Sequence, residues 1–224
     1  MTVTATEVPG GWTEQTVPVG DRQIILAIPA EPDRFLDHLT SEHGAANDRP
    51  VWDDPYWAKL WPMAIELAQQ VYAADWPANT RVIDLGCGCG MAGVAAAARG
   101  WDVTFSDYVP LAMDLAVENA RRNGLDGKQL FLDWRKPDDH AFDVVLGSEI
   151  LYDRSLHDPL LATLAKIVAP GGVVWLSDPG RTASEVFLPK SCAAGWKLNV
   201  RNSRGEEQLR LRFNQFNLVQ LKRG

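Results

Sequence analysis

The sequence predicts an α/β fold in which helices cover both faces of a mostly parallel β-sheet. From Tyr56 onward, short apolar segments of strand length alternate with longer segments of helical periodicity, the pattern of consecutive βα units. Glycine or proline residues stand between most of these segments, where turns are expected. With 224 residues, 46% of them hydrophobic, the chain is also long enough to form a large core.

The first part of the chain is expected to form a β-hairpin and a short helix. The residues from Trp12 to Ile28 contain two extended stretches around the turn Val19-Gly20-Asp21. Asp33–His43 is predicted to be a short helix, followed by a loop rich in turn-forming residues. We therefore divide the chain into an N-terminal extension, residues 1–55, and a main domain, residues 56–224.

The first half of the main domain is predicted to contain three helices and two strands. Pro62 suits the first turn of a helix, because a backbone N–H there would have no partner within the helix. Gly124 suits the position just after a helix, where a left-handed conformation is common. The predicted elements are a helix from Pro62, a strand over Arg81–Leu85, an alanine-rich helix before Gly100, a strand over Trp101–Ser106 and a helix over Pro110–Asn123.

The second half continues the alternation and closes with antiparallel strands. The last predicted strand loses its alternating pattern near Asn214-Gln215, as a bulged strand would. Thr182 and Glu185 are expected to form a capping box at the start of a helix. The other predicted elements are strands over Lys128–Leu132, Phe142–Gly147, Val173–Ser177, Trp196–Arg201 and Gln208–Leu221, and a helix over Leu156–Val168.

Composition and charge exclude several classes of protein. A net charge of −7 works against a nucleic-acid partner, although the residues from Gly195 onward hold seven basic and only two acidic side chains. We interpret that basic segment as a solvated surface. No apolar run reaches the length of a membrane span and no leader pattern opens the chain, so a cytoplasmic protein without a membrane partner is expected. Three cysteines, without ligand spacing, predict neither a disulfide framework nor a metal site.

A glycine-rich loop directly follows the strand that ends at Leu85. Gly86, Gly88 and Gly90 permit a tight turn and close approach of a ligand to the backbone, and Cys87 is expected to contribute through its backbone. The N-terminus of the next helix favours a carboxylate or a phosphate. The spacing Gly88-x-Gly90-x-x-Gly93 also fits the dinucleotide pattern, so the loop alone does not identify the ligand.

Acidic residues near three strand ends distinguish the two ligands. Asp84 precedes the loop, where a carboxylate suits the amino group of an amino acid but repels a pyrophosphate. Asp107 ends the second strand and can bind ribose hydroxyls, although capping of the next helix is an alternative. Asp133 and Trp134 follow the third strand, with an acceptor for adenine and an indole for packing; an ordinary edge aromatic is the alternative for Trp134. The set favours S-adenosylmethionine over NAD.

At these residues the chain resembles the class I (seven-strand) methyltransferases, from Tyr56 to the C-terminus. The resemblance implies a Rossmann-like seven-stranded sheet, mostly parallel with an antiparallel last strand. Three further segments are similar to the protein-lysine methyltransferase group called family 16, and above all to enzymes that methylate the electron-transfer flavoprotein β subunit and to their bacterial relatives. These segments are Tyr56–Pro62, Leu146–Asp153 and Ser177–Arg181.

The resemblance also implies roles for individual residues. An acidic residue and an aromatic residue after the fourth strand form the substrate motif of the group, here Glu149 and Tyr152 as catalytic residues. Glu149 replaces the more common aspartate, so its carboxylate reaches about one methylene further. A helix-start acid is the alternative for Glu149 and a packing role for Tyr152, while Arg181 is left unassigned. The expected cofactor-binding residues are Trp61, Asp84, Gly86, Cys87, Gly88, Gly90, Asp107, Tyr108, Asp133, Trp134 and Ser148.

Three functions remain open at this point. The first is a protein-lysine methyltransferase, whose partner is a protein carrying the lysine; the absence of an Asn-Pro-Pro-Tyr type motif weighs against amide and exocyclic-amine substrates. The second is a small-molecule methyltransferase in which residues 1–55 form a lid. The third is a non-catalytic module that binds an adenosyl ligand, for which an incomplete set of cofactor residues would be expected. The oligomeric state is not predicted.

Overall fold

A computed structural model describes Val8, residues 10–34 and residues 55–223. Most of the predicted helix over Asp33–His43 and the loop after it lie outside the described residues. Within the described ranges, no helix has both the length and the apolar character needed to cross a membrane.

The predicted N-terminal hairpin is confirmed. Strands β1 (Trp12–Val19) and β2 (Arg22–Pro29) pair antiparallel and are joined at Gly20 and Asp21. Gly20 has a φ of 56°, and a Cβ atom at this position would clash with the ring of Tyr72. Glycine therefore permits both the turn and its close approach to the main domain.

The main domain is built around an eight-stranded sheet with helices on both sides. Its elements are α1 (Pro62–Tyr72), β3 (Arg81–Leu85), α2 (Met91–Ala98), β4 (Asp102–Ser106), α3 (Pro110–Arg122), β5 (Lys128–Gln129), β6 (Phe142–Ser148), α4 (His157–Ile167), β7 (Val168–Asp178), α5 (Thr182–Ala193), β8 (Trp196–Arg201), β9 (Glu207–Gln208) and β10 (Asn217–Arg223).

The order of the strands across the sheet is β5-β4-β3-β6-β7-β10-β8-β9. Strands β3 to β7 pair in parallel, whereas β10 runs antiparallel to both β7 and β8. The mostly parallel sheet with a reversed last strand is thus confirmed, with eight strands instead of the predicted seven because the two-residue strand β9 extends one edge. It brings the carboxyl ends of β3, β4 and β6 to the same edge, where ligands bind in open α/β sheets.

The core lies on both faces of this sheet. Neighbouring residues of β3 belong to different hydrophobic clusters: Val82 packs with α1, α2, α3 and the hairpin, and Ile83 packs with α4 and α5. Val144 and Val145 of β6 alternate in the same way. Because both faces of these strands are covered, their sequences are continuous apolar runs rather than alternating ones.

Several predicted boundaries were wrong. The strand predicted over Lys128–Leu132 is only two residues long, and the strand predicted from Val173 begins at Val168. The bulged strand predicted over Gln208–Leu221 is two strands, β9 and β10, separated by residues 209–216. The side-chain amide of Asn217 forms hydrogen bonds with backbone groups of Arg212 and Gln215 in this intervening segment. These backbone groups therefore have hydrogen-bond partners without pairing with a strand.

Candidate active site

A cavity of about 360 Å³ opens at the carboxyl ends of β3, β4 and β6. Its wall contains every residue that the sequence predicted for the site, with the exception of Gly90. The side chains come from the three strand ends, from the segment before α1 and from the turn before α5. Parallel strands therefore gather residues that are widely separated in the sequence.

The glycine loop uses left-handed conformations at Gly86, Gly88 and Gly90, with φ of 66°, 50° and 81°. A Cβ atom on Gly88 would lie 2.8 Å from the carbonyl oxygen of Trp57, and one on Gly90 would lie 2.7 Å from Ala116 Cβ. Gly90 precedes α2 and permits the packing of α2 on α3; it is not part of the cavity wall.

Three N–H groups of this loop, those of Gly86, Cys87 and Gly88, already have partners within the protein. Those of Gly86 and Cys87 donate to the carbonyl oxygen of Ser106, at 2.8 and 3.0 Å. That of Gly88 donates to Asp107 Oδ2 at 3.1 Å. A phosphate-binding loop instead directs such donors at its ligand. These three donors are therefore not available to a pyrophosphate, in agreement with the interpretation made from Asp84.

Asp84 is almost completely buried at the start of the loop. It is 2% exposed, and its Oδ2 accepts a hydrogen bond of 2.8 Å from the N–H of Gly93. Burial raises the pKa of Asp84 to about 7, with a smaller contribution from Asp107, while the Gly93 hydrogen bond acts in the opposite direction. The sequence did not assign Gly93 to the site. A Cβ atom there would clash with the ring of Phe105, so glycine is needed for this contact.

Asp107 connects the glycine loop to α3. Besides Gly88, its carboxylate accepts a hydrogen bond of 3.0 Å from the N–H of Val109, the residue before α3. Burial raises the pKa of Asp107, and these backbone hydrogen bonds partly oppose the rise. The carboxylate thus orders the helix entry and also lines the cavity, so the two interpretations of Asp107 are compatible. Tyr108 lines the cavity beside it and packs against Phe131, with 5.7 Å between ring centroids.

Asp133 and Trp134 follow β5 at a distance of several residues instead of ending it directly. The carboxylate of Asp133 pairs with Arg135 at 2.8 Å, and this guanidinium lowers the pKa of Asp133. Trp134 is half-buried, and its backbone oxygen accepts a hydrogen bond from Thr163 of α4. Both side chains line the cavity.

Glu149 follows β6 with a backbone conformation unusual for a residue other than glycine. Its φ is 56°, and the residue is only 6% exposed. Its Oε1 accepts a hydrogen bond of 3.1 Å from the N–H of Met63 in the first turn of α1, and its Oε2 pairs with Arg181. Glu149 does not start a helix of its own, since the 3-10 turn before α4 begins at Arg154. The helix-start interpretation is therefore wrong, although the carboxylate does lie at the N-terminus of α1.

Arg181 is the main residue that sequence reasoning left without a role. It lines the cavity, pairs with Glu149, and lies 3.7 Å from Asp178, a fully buried residue at the end of β7. Its guanidinium lies 6.0 Å from the centroid of the Trp61 ring. The position of Arg181 in a turn after a buried strand was the feature of the sequence that pointed to the site. Its partner Glu149 is 32 residues away in the sequence, so the pair could not be recognised from a local pattern.

Tyr152 and Ser148 complete the predicted set. Tyr152 lines the cavity and is 47% exposed, which places it at the mouth rather than in the core. The hydroxyl group of Ser148 lies 2.9 Å from that of Ser177, which also contacts the carbonyl oxygen of Met63 at 3.0 Å. Further wall residues, outside the expected catalytic and cofactor-binding sets, are Tyr56, Trp57, Lys59, Ala64, Cys89, Met91, Ala92, Val109, Leu132, Arg135, Ile150 and Leu156.

Comparison with known proteins places this site in a family. The family model described as lysine methyltransferase matches residues 39–190. EEF1A lysine methyltransferase 3 of Mus musculus is 32% identical over 58% of this chain and 60% of that protein. Electron transfer flavoprotein beta subunit lysine methyltransferase of Xenopus laevis is 34% identical over 68% of this chain and 65% of that protein.

A solved structure with the same fold is that of ribosomal protein L11 methylase from Lactobacillus delbrueckii subsp. bulgaricus. Its TM-score is 0.59 at 22% identity, over 93% of this chain and 98% of that chain, so the likeness concerns the fold alone. The chain spans between about half and two thirds of the length of these curated relatives. The family model covers more than half of the chain, and the chain therefore belongs to the lysine methyltransferase family.

Proposed function

We propose that the chain transfers a methyl group from S-adenosylmethionine to the side-chain amine of a lysine in a protein. The observation that carries the proposal is the convergence of Asp84, Asp107 and Glu149 on one cavity, in a chain of the lysine methyltransferase family. The named activity of the relatives supports the same reaction.

The donors and acceptors of the cavity wall fit this cofactor. The wall contains carboxylates for an amino group and for ribose hydroxyls, Asp84 and Asp107, and an indole for a base, Trp134. The N–H groups of residues 86–88 are already used within the protein, which disfavours a pyrophosphate. When bound, S-adenosylmethionine supplies a methyl group activated by a sulfonium charge.

Glu149 and Arg181 line the cavity, and the fully buried Asp178 lies 3.7 Å from Arg181. Two buried carboxylates face one guanidinium, so the formal charge of this cluster of three residues is one negative, which favours a cation. A lysine must also lose its proton, which at pH 7 costs roughly 4.6 kcal/mol from a pKa near 10.4. Burial away from water lowers that cost. We assign Glu149 the role of orienting the amine and Tyr152 that of closing the mouth.

Transfer of radiolabelled methyl groups tests the proposal. The full chain is incubated with labelled S-adenosylmethionine and a total protein extract, and the labelled amino acid is identified after hydrolysis. We expect methylated lysine in the protein fraction. Label confined to small molecules would instead support a metabolite methyltransferase with residues 1–55 as a lid. No transfer, with retained cofactor binding, would support a non-catalytic module.

Glu149→Gln is the sharpest single variant for this proposal. The amide keeps an acceptor for Met63 but loses the charge that faces Arg181 and the lysine. We expect kcat to fall at least about tenfold, which corresponds to about 1.4 kcal/mol of lost transition-state stabilisation. Glu185→Gln, at an exposed position of α5, removes the same charge outside the site and serves as the control. Unchanged turnover in Glu149→Gln would remove Glu149 from the mechanism.

We also propose a cytoplasmic location. The support is that Cys87, Cys89 and Cys192 are all free thiols, and Cys192 is exposed. Free thiols persist best in a reducing compartment.

A further inference from the structure

The segment between β9 and β10, residues 209–216, carries the most exposed apolar side chains of the described chain. Leu209 is fully exposed and Phe213 is 73% exposed. Arg210 and Arg212 lie between them in the sequence and are exposed as well, whereas Leu211 is buried. The 209–216 loop therefore presents apolar and basic side chains together on its outer surface.

This loop is held in place by hydrogen bonds. Asn217 is completely buried, and its side-chain oxygen accepts a hydrogen bond of 2.8 Å from the N–H of Arg212. Its side-chain nitrogen lies within 3.0 Å of the carbonyl oxygens of Asp178, Arg212 and Gln215. A loop fixed in this way presents its side chains with little loss of conformational entropy when a partner binds.

The loop also borders the candidate active site. Gly180 has a φ of 79°, and a Cβ atom there would clash with the carbonyl oxygen of Arg212. The residue after Gly180 is Arg181, which lines the cavity and pairs with Glu149. A partner that binds the loop is thus next to the mouth at which the acceptor amine arrives.

The charge of the loop favours an acidic partner. Among the described residues, no ion pair within 4.0 Å involves Arg210 or Arg212. The pKa of Glu206 is lowered mainly by hydrogen bonds from Asn202 and Arg204, and the charge of Arg212 makes a smaller contribution in the same direction. Arg212 also lines a second cavity of about 420 Å³ together with Arg204. Both arginines belong to the basic segment from Gly195 onward, in a chain whose net charge is −7. The net charge of the whole chain works against nucleic acid as the partner.

We propose that the 209–216 loop is the docking surface for the protein acceptor, and that this acceptor carries an acidic and apolar patch beside its target lysine. Exposed aromatic side chains and arginines are the residue types that dominate protein interfaces. The inference rests on the proposed function. In addition to the target lysine, the 209–216 loop would recognise a folded surface of the acceptor protein.

Two double variants of the full chain test the proposal. Arg210→Glu/Arg212→Glu reverses the charge, and Leu209→Ser/Phe213→Ser removes the apolar side chains; all four residues are exposed, so the fold is expected to persist. The probes are a folded total protein extract and its chymotryptic digest, each supplied with labelled S-adenosylmethionine. We expect each variant to methylate the folded proteins about tenfold more slowly, equivalent to about 1.4 kcal/mol, and the peptides at the wild-type rate.

The matched control is Arg22→Glu/Arg121→Glu, which makes the same change in net charge. Arg22 lies in the hairpin and Arg121 in α3, which packs against β4 and β5 at the opposite edge of the sheet from β8 and β9. Equal slowing by this control, or equal rates for both loop variants and wild type on folded proteins, would overturn the docking proposal alone. Absence of label in any protein with the wild-type chain would overturn the proposed function and the docking proposal together.

A second copy of this chain is the competing occupant of the loop. Sedimentation equilibrium of the wild type and the two loop variants distinguishes it. A dimer that the loop variants dissociate without slowing methyl transfer would also overturn the docking proposal.

Discussion

Glu149 combines a left-handed backbone with a buried carboxylate that faces a guanidinium. A left-handed backbone conformation of a residue other than glycine destabilises the fold by of order 1–3 kcal/mol, and it persists only where the surrounding structure fixes it. Here the backbone N–H of Glu149 donates to the carbonyl oxygen of Ser177 at 2.8 Å, and the side chain is fixed by Met63 and Arg181. The strained residue is thus held from three sides, as expected for a group that must keep its orientation.

Removal of the guanidinium at position 181 should reveal how strongly this arrangement depends on it. We expect Arg181→Ala to lower the free energy of unfolding by about 1–3 kcal/mol, because the buried carboxylates of Glu149 and Asp178 lose their cation; partial exposure of Arg181 limits the effect. Urea denaturation measures it. In the double variant Arg181→Ala/Glu149→Gln the losses should be less than additive, and strict additivity would mean that the two residues do not interact.

Asp84 should make stability depend on pH. Its pKa of about 7 in the folded chain lies above the ordinary value near 3.9, so the folded state holds an extra proton between these values. The contribution of Asp84 to stability is therefore fully present below about pH 4 and is lost as the pH rises through 7, by up to about 1.4 kcal/mol per pH unit. The difference in unfolding free energy between wild type and Asp84→Asn should fall over this range. A constant difference from pH 4 to 8 would contradict the assignment.

At the scale of elements, Asn119 of α3 joins parts that are distant in the sequence. Its side chain is completely buried and bonds to both backbone groups of Ala27 in β2, at 2.7 and 3.1 Å, and to the carbonyl oxygen of Cys89 in the glycine loop, at 2.9 Å. One residue thus positions the hairpin, a helix and the loop of the cofactor site relative to each other.

Asn119→Ala should weaken both stability and cofactor binding. It leaves three buried backbone groups without a partner, each worth about 1–3 kcal/mol, so we expect a total loss of about 2–4 kcal/mol after local relaxation. Calorimetry should record weaker binding of S-adenosylmethionine in the same variant, because the glycine loop loses an anchor. Asn199→Ala, which removes one exposed hydrogen bond in β8, is the control. Equal effects of the two variants would exclude the coupling.

These contacts also explain which features the sequence predicts. The glycine loop, Asp84 and Asp107 are recognisable because they are local patterns at strand ends. Glu149 and Tyr152 are recognisable because they match the acidic and aromatic motif of the resembled group, with two residues between them after a strand. The partner of Asn119 is 92 residues away and that of Arg181 is 32 residues away, and no periodicity indicates such pairs. Apolar and polar residues alternate between β9 and β10 as in a strand. The backbone of Arg212 in this segment nevertheless forms hydrogen bonds with the side-chain amide of Asn217 and not with a neighbouring strand.

At the scale of the whole molecule, the hairpin lies in the core although it precedes the predicted main domain. Val17, Val19, Ile24 and Leu26 are at most 4% exposed and belong to the same cluster as residues of α1, α2 and α3. The division at residue 55 remains a prediction. It separates an extension that supplies core residues from a domain that supplies the site.

Deletion of residues 1–30 should therefore prevent stable folding of the remaining chain. Burial of each of these aliphatic side chains contributes about 1.5–3 kcal/mol, and four of them together approach the 5–15 kcal/mol of net stability of a typical domain. The full chain with Leu26→Ala should lose only about 2–5 kcal/mol and remain folded. Thermal unfolding followed by circular dichroism compares the two. A cooperative transition in the truncated chain, with S-adenosylmethionine bound as tightly as by the full chain, would make the hairpin dispensable and residues 31–224 sufficient for the cofactor site.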